Sequence, residues 1–405
     1  MKELAKNKLL LIGLLIALLI ACSGSDDPSP KDPEVEEPED TTNWVIDRAI
    51  DGKPISHIEW GEAIKVSHEV YSAAYPRMLQ LGNSDTLLLG YHGGDPSNDW
   101  DNIYLRKSFD RGLTWSETSV LMTDNDPDYW GFANPEFVEL RSGRILMAFT
   151  GRGRPDDNQH DNIQVMHSDD RGDTWSNPRI VAYGRSWEPA MVEHPSGEVM
   201  MFYSSEARWW QVSDYVEQEI LMVISANIGM SWSNSKSVAY SSGHRDGMPV
   251  PVVLKDRKGL AFVIESVGNA DGPWVLHSDL MNRFKEESEI TRRLAAPKSL
   301  VGFGGGPYLA QLPTGETILS LHDTGGRSIG SNWMKNTMYV LIGNEQAKNF
   351  EKVSYPFPDL PSEEGAFFNS VCVLDENTVI ALASRNFEDG HNEVHWATGT
   401  VIREE

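Results

Sequence analysis

The chain holds 405 residues, enough for one large domain or two ordinary ones. Its 35 Lys and Arg against 60 Asp and Glu leave a net charge of −25, which repels a phosphate backbone and argues against nucleic acid as a partner. Two cysteines, Cys22 and Cys372, exclude a disulfide framework and a cysteine-rich metal site, whereas 34 Gly with 13 Trp, 12 Tyr and 13 Phe point to a turn-rich β protein.

In chain order, Lys2, Lys6 and Lys8 precede an apolar run from Leu9 to Ala21, which ends at Leu19-Ile20-Ala21-Cys22. The run is short for the ~20 residues of a membrane span and reads as a signal peptide over residues 1–21. The motif resembles a bacterial lipobox, which implies lipidation of Cys22. Residues 22–42 are acidic and rich in proline, a composition that builds no core and predicts a tether. Ser23-Gly24-Ser25-Asp26-Asp27 resembles a surface-export signal of bacterial lipoproteins. The expected location is the outer membrane, on the cell surface, with the periplasmic face as the alternative.

From residue 43 onward one unit recurs six times: an apolar strand, a polar turn and a second apolar strand. The turns begin at Leu81, Leu140, His194, Leu254, Leu312 and Leu374, spaced 59, 54, 60, 58 and 62 residues apart. Each is flanked by β-rich runs such as Arg144 to Phe149, so each is a hairpin. A second motif follows the first three turns: Ser108 to Trp115, Ser168 to Trp175, and a degenerate copy from Ser225 to Trp232, with Ser278-Asp279-Leu280 as a relic of a fourth. These segments resemble the Asp-box (S-x-D-x-G-x-T-W) of sialidase-like propellers, a structural turn rather than a catalytic one. Four strands per unit and six units predict an all-β, six-bladed propeller of four-stranded blades over residues 43–405. Val45 or Ile46 is expected to close the ring, and no second domain is expected.

In such a ring the start of each first strand and the end of each second strand open into one funnel. The lead-in positions are Tyr75-Pro76-Arg77, Asn134-Pro135-Glu136, Trp187-Glu188-Pro189, Gly247-Met248-Pro249, Gly306-Pro307-Tyr308 and Phe368-Asn369-Ser370. The strands leave at Tyr91-His92, Gly151-Arg152, Ser205-Glu206, Glu265-Ser266, His322-Asp323 and Arg385-Asn386. Polar and aromatic groups converging in this way suit a sugar site. Glycoside hydrolysis needs two carboxyl groups, one to protonate the leaving oxygen and one to attack or activate water. Glu188, Glu265 and Glu206 are the candidates. Trp187 is expected to desolvate Glu188, which raises a carboxyl pKa as an acid requires.

These lead-in motifs, with Ser142 to Leu146, Gln218-Glu219-Ile220 and Glu265, resemble glycoside hydrolase family 93, the exo-α-1,5-L-arabinanases. The resemblance implies a retaining double displacement by two glutamates, placed here on Glu188 and Glu265, with no metal or organic cofactor. It implies an oligo- or polysaccharide substrate and release of arabinobiose from chain ends. Glu188 is assigned as acid/base and Glu265 as nucleophile. Arg77, Asn134, Trp187, Glu206, Tyr308, His92 and Arg245 are assigned to substrate binding. The protein is expected to be a monomer that meets the membrane only through its lipid anchor.

Two other readings stay open. An exo-α-sialidase would use Arg77, Arg245 and Arg327 as a carboxylate clamp, Tyr308 as nucleophile, and Asp95 or Asp99 as acid. Its Tyr75-Pro76-Arg77-Met78 is scrambled relative to the sialidase order. A non-catalytic glycan-binding lipoprotein would use the same funnel for capture. A lyase drawing on His92, His244 or His322 is a smaller alternative. Asp124 to Asp128 lacks the glycine and glutamate of a calcium loop, and Gly302 to Gly306 leads into a strand, so it is no phosphate cradle. Cys372, within an apolar strand, reads as a buried thiol.

Overall fold

The computed structural model describes residues 53–404, except 69, 96–97, 124–125, 214, 269–271, 287–289 and 330–331; at 95 and 98–101 it describes the backbone alone. The expected signal peptide, Cys22, the tether, and Val45 and Ile46 lie outside the described residues.

Six antiparallel sheets follow one another along the chain. Blade 1 is Tyr71–Gln80, Leu87–Asp95, Asn98–Ser108 and Ser119–Met122. Blade 2 is Tyr129–Glu139, Ile145–Gly153, Asn162–Ser168 and Arg179–Tyr183; blade 3 is Ser186–Glu193, Val199–Ser205, Glu219–Ser225 and Lys236–Tyr240. Blade 4 is Arg245–Leu254, Gly259–Val267, Trp274–Ser278 and Thr291–Leu294; blade 5 is Gly305–Gln311, Thr317–Asp323, Thr337–Gly343 and Glu351–Ser354. Blade 6 takes Gly365–Val373, Thr378–Asn386 and Asn392–Arg403 from the end of the chain and Ile55–Trp60 from its start. The first strands pack on one another in a closed cycle, so the molecule is a six-bladed β-propeller. Helix is confined, among the described residues, to two three-residue 3-10 turns.

The ring is closed by Ile55–Trp60, which pairs antiparallel with Asn392–Arg403 as the outermost strand of blade 6. The strand that performs the closure therefore lies about ten residues beyond the expected Val45 and Ile46. Six apolar clusters hold the ring, one at each junction of neighbouring blades. Second strands such as Val199–Ser205 and Thr317–Asp323 are buried along their whole length. A strand sandwiched between two blades has no solvent face, which explains why these segments read as continuous apolar runs rather than alternating ones.

The Asp-boxes tie each blade to the one before it. Asp110 accepts hydrogen bonds from Ser108 Oγ (2.8 Å), Thr114 N (2.8 Å) and Thr114 Oγ1 (2.5 Å). Asp170 repeats the pattern with Ser168 and Thr174. In the degenerate copy Asn227 does the same work: its Oδ1 accepts from Ser225 Oγ and Ser231 N, and its Nδ2 donates to Ser231 Oγ. The relic keeps the local turn: Asp279 accepts from Asn282 N (2.5 Å) and Ser278 Oγ from Phe284 N (2.9 Å). Gly112, Gly172 and Gly229 have φ of 90°, 82° and 84°, and a Cβ there would meet Trp396, Leu88 and Leu146 of the preceding blade. These positions need glycine for its left-handed backbone and for the close approach.

Gly112→Ala forces a methyl group into the buried Trp396 ring at a left-handed position and is expected to destabilise the fold by roughly 1–3 kcal/mol. Thermal unfolding measures the loss. Asp110→Asn is expected to keep more stability than Asp110→Ala, because Asn227 already performs the role in the third copy; equal losses would contradict this account of the turn.

Candidate functional site

The funnel is built by one device used six times. In each first strand the register slips by an extra residue, and the slipped residue takes a left-handed backbone: Tyr75, Asn134, Glu188, Met248, Gly306 and Phe368, with φ between 45° and 56°. These residues share the spacing of the hairpin turns, each standing six positions before its turn. Five of the six are followed by proline, which has no N–H to lose from the ladder. Such a bulge bends the strand and turns its side chain or N–H into the channel. Aligning on the proline corrects the sequence register: Glu188-Pro189 and Met248-Pro249, not Trp187-Glu188 and Gly247-Met248, match Tyr75-Pro76, Asn134-Pro135 and Gly306-Pro307.

Glu188 is itself a bulge residue, and Glu265 lies at the end of the second strand of the next blade. Glu188 Oε2 accepts from Ser204 Oγ (2.7 Å) and from Met248 N (2.9 Å), the bulge of blade 4. Glu265 Oε2 accepts from Gly306 N (2.8 Å), the bulge of blade 5. A Cβ placed on Gly247 would stand 3.3 Å from Glu265 Oε1 and 3.5 Å from Glu188 Oε2, so those two oxygens are no further apart than these distances together. Burial raises the pKa of both carboxyl groups. Glu265 is pushed up to about 7, by burial first and by the neighbouring Glu188 charge second. Two like charges this close in a desolvated site favour sharing one proton.

Both glutamates face a cavity of about 490 Å³ lined also by Val267, Phe303, His322, Thr324, Ile329, Trp333, Asn336 and Phe368. No Lys or Arg is among these lining residues. Blades 3 and 4 supply the carboxyl groups, and blades 5 and 6 an aromatic wall.

Of the residues assigned from sequence, only Glu188 and Glu265 line this cavity. Arg77 is 1% exposed; its guanidinium donates to Glu136 Oε2 (2.8 Å), Pro76 O and Asn369 O and lies against the Tyr75 and Tyr308 rings. Tyr308 donates to Glu136 (3.2 Å), and burial raises both their pKa values. These groups form a buried network within the channel. His92 accepts from the bulge N–H of Asn134 (3.1 Å) and stacks on Tyr75; Asn134 Oδ1 is buried with no hydrogen-bond partner.

Trp187, expected to shield Glu188, is engaged by two arginines. Arg152 lies over its ring, and the Arg185 guanidinium stands between Trp187 (5.2 Å) and Trp210 (3.7 Å). Glu206 is a committed counter-ion, joining Arg185 (3.0 Å) to Arg245 (2.6 Å). Arg245 is in turn the cation whose field lowers the pKa of both Glu188 and Glu265. Arg327 donates, among the described residues, to the backbone carbonyls of Thr324, Pro361, Glu364 and Lys335. Arg77, Arg245 and Arg327 thus have three separate sets of partners. The side chains of Asp95 and Asp99, and Asp124 and Asn125, lie outside the described residues.

Sequence reasoning missed Ser204, which orients Glu188, and the aromatic wall of Phe303 and Trp333. The proline register would have found Ser204. Trp333 had no such signal, because it stands in a loop between strands, outside the repeated hairpin and Asp-box segments.

A BNR repeat-like domain model matches residues 143–279. No curated protein sequence matches the chain at a significant level. Among solved structures, a Dyadobacter fermentans protein of unknown function has a TM-score of 0.67 at 17% identity, covering 86% of this chain and 100% of its own. A Fusarium graminearum α-L-arabinofuranosidase of glycoside hydrolase family 93, solved with arabinobiose, has a TM-score of 0.62 at 18% identity, covering 85% and 98%. A Streptococcus pneumoniae sialidase has a TM-score of 0.60 at 12% identity, covering 84% and 70%. At these identities the likeness is one of fold.

A carboxyl group whose pKa is raised on folding keeps its proton where the unfolded chain has lost it. Its contribution is therefore favourable below the unfolded value of 4.5 and is lost as pH rises towards about 7. Glu265→Gln is expected to flatten this dependence, shrinking the stability difference between about pH 5 and pH 8 by roughly 2–3 kcal/mol. Denaturant unfolding at the two pH values measures it; an unchanged difference would show that Glu265 is not the proton holder.

Proposed function

We propose that the protein is an exo-acting, retaining glycoside hydrolase on α-1,5-L-arabinan or a related neutral side chain of plant polysaccharide. The observation that carries this reading is the pair of neighbouring glutamates facing a cavity that, among the described residues, no arginine or lysine lines. Such a cavity repels a carboxylate-bearing sugar and suits a neutral one, which weighs against the sialidase alternative. The bound on the oxygen–oxygen distance spans the ~5–5.5 Å of retaining sites and only the lower edge of the ~6.5–9.5 Å of inverting ones. The resemblance to family 93 and the arabinobiose in the Fusarium structure support the choice of sugar.

In this reading Glu188, with two donors on its carboxylate, is the nucleophile. Ser204 Oγ–H and Met248 N–H hold its charge and aim it. Glu265, with one donor and a pKa near 7, is the acid that protonates the leaving oxygen and then, as a carboxylate, draws a proton from the attacking water. This reverses the roles assigned from sequence, which rested on Trp187 shielding Glu188. Arg245 holds the pair's second charge in place. Export and anchoring through Cys22 belong to the same proposal and rest on the lipobox and the acidic segment after it.

The test is sugar release by the soluble domain from linear α-1,5-arabinan and, in parallel, from sialyl-lactose. Arabinobiose from the wild type is expected, with Glu188→Gln and Glu265→Gln each about 10²–10⁴-fold slower. The rate is expected to fall as pH rises through about 7, as the acid loses its proton. Azide added to Glu188→Ala would give a glycosyl azide of inverted configuration, and to Glu265→Ala one of retained configuration; the opposite pairing would exchange the two roles. Free sialic acid would move the assignment to the sialidase reading. Arabinan retained but uncleaved would support capture without catalysis.

A further inference from the structure

At the channel the junctions between blades share one contact, and its exceptions single out a residue. Strand pairing places His92, Thr150, Ser204, Glu265, His322 and Ser384 opposite the residue just before each bulge. In four blades this side chain accepts the bulge N–H of the following blade. Asn134 N donates to His92 Nδ1 (3.1 Å), Met248 N to Ser204 Oγ (3.0 Å), Gly306 N to Glu265 Oε2 (2.8 Å) and Tyr75 N to Ser384 Oγ (2.9 Å). Thr150 and His322 stand in the same place without that bond: among the described residues, Thr150 Oγ1 and His322 Nδ1 are buried and have no hydrogen-bond partner. Thr150 is fully enclosed. His322 lines the cavity beside Glu265.

We propose that His322 is a specificity residue that donates a hydrogen bond to a hydroxyl group of the neutral sugar held in the cavity. The inference rests on the neutral-sugar reading above and adds a residue to it. The ring is held by aromatic neighbours: Phe303 at 5.8 Å, Trp333 at 6.0 Å and 25°, and Phe367 edge-on at 6.4 Å. Such a stack fixes the ring plane and offers no polar partner of its own. Burial drives the imidazole pKa down to about 3, so the ring is neutral and carries one proton. An orphaned buried N–H is costlier than an orphaned lone pair, which places that proton on Nε2 and leaves Nδ1 as the unpartnered acceptor. Among the described residues no carboxylate orients the ring, so it is not built as a general base. Its chemistry is that of a fixed, neutral donor, which discriminates between sugars by whether a hydroxyl oxygen meets it.

The test uses titration of tryptophan fluorescence, to which Trp333 at the cavity contributes, with arabinobiose, xylobiose and cellobiose as probes. The proteins are the wild type, His322→Phe and His322→Gln. Phenylalanine keeps the aromatic stack and removes the donor; glutamine restores a neutral donor. For whichever sugar the wild type binds best, His322→Phe is expected to bind about tenfold more weakly, the size of one lost hydrogen bond. His322→Gln is expected to recover most of that loss, and on a cleaved substrate KM is expected to move more than kcat. Thermal unfolding of both variants separates a binding loss from a folding one; if His322→Phe does not fold, His322→Gln with an affinity within threefold of wild type still supports the donor role, and a tenfold loss there overturns it. Unchanged affinity in His322→Phe would reduce His322 to a packing residue and overturn the proposal. Failure of the wild type to bind any of the three sugars would overturn it together with the neutral-sugar reading. Binding of a neutral sugar without cleavage of arabinan would overturn the hydrolase reading alone, and His322 would still be judged by its affinities.

Discussion

The left-handed bulge at the head of each first strand is the constraint on which the rest of the site depends. A non-glycine residue held at positive φ costs about 1–3 kcal/mol, and five of the six bulge residues are not glycine. The cost is sustained because each bulge sits between two blades whose apolar faces are already buried against each other. In return the bulge frees an N–H from the ladder and points it across the channel. In blades 4 and 5 that N–H meets a glutamate. The two carboxyl groups that face the cavity thus sit on the structural repeat itself: Glu188 at a bulge position, and Glu265 at a position that in blades 3 and 6 holds a serine.

Electrostatics in the channel follows from the same packing. Tight blade contacts exclude water, so every ionisable group there either pairs or gives up its charge. Arg77 with Glu136, and Glu206 with Arg185 and Arg245, are the paired solution. His322 is kept neutral. Glu188 and Glu265 are the intermediate case, two acids with backbone and hydroxyl donors but no direct ion pair. That residual tension is what raises Glu265 into the range where a carboxyl group can give and take a proton near neutral pH.

The Asp-boxes are the outer counterpart of the bulges. They bond within themselves and press a glycine onto the preceding blade, so they contribute to the ring and not to the chemistry. The exchange of Asp for Asn in the third copy is tolerated because the turn uses the side chain as a local hydrogen-bond acceptor, a role a carboxamide oxygen fills as well as a carboxylate.

Much of this was legible in the residues alone. Hairpins at a near-constant spacing, two intact Asp-boxes in phase with them, and apolar second strands specify six four-stranded blades, because a repeat that cannot bury its faces alone must stack. The same register brought Glu188 and Glu265 to one funnel. What sequence could not decide is which polar ends stay available there. Arg77, Glu206 and Trp187 look like ligand groups in one dimension, yet each is consumed by a partner 21 to 59 residues away, Glu136, Arg185 and Arg152 among them. The Trp333 wall and the unbonded His322 likewise depend on how a single loop packs on the next blade. Periodicity is local and survives in the chain; the pairing of buried charges is a contest among distant neighbours for a few partners, and only the closed ring settles it.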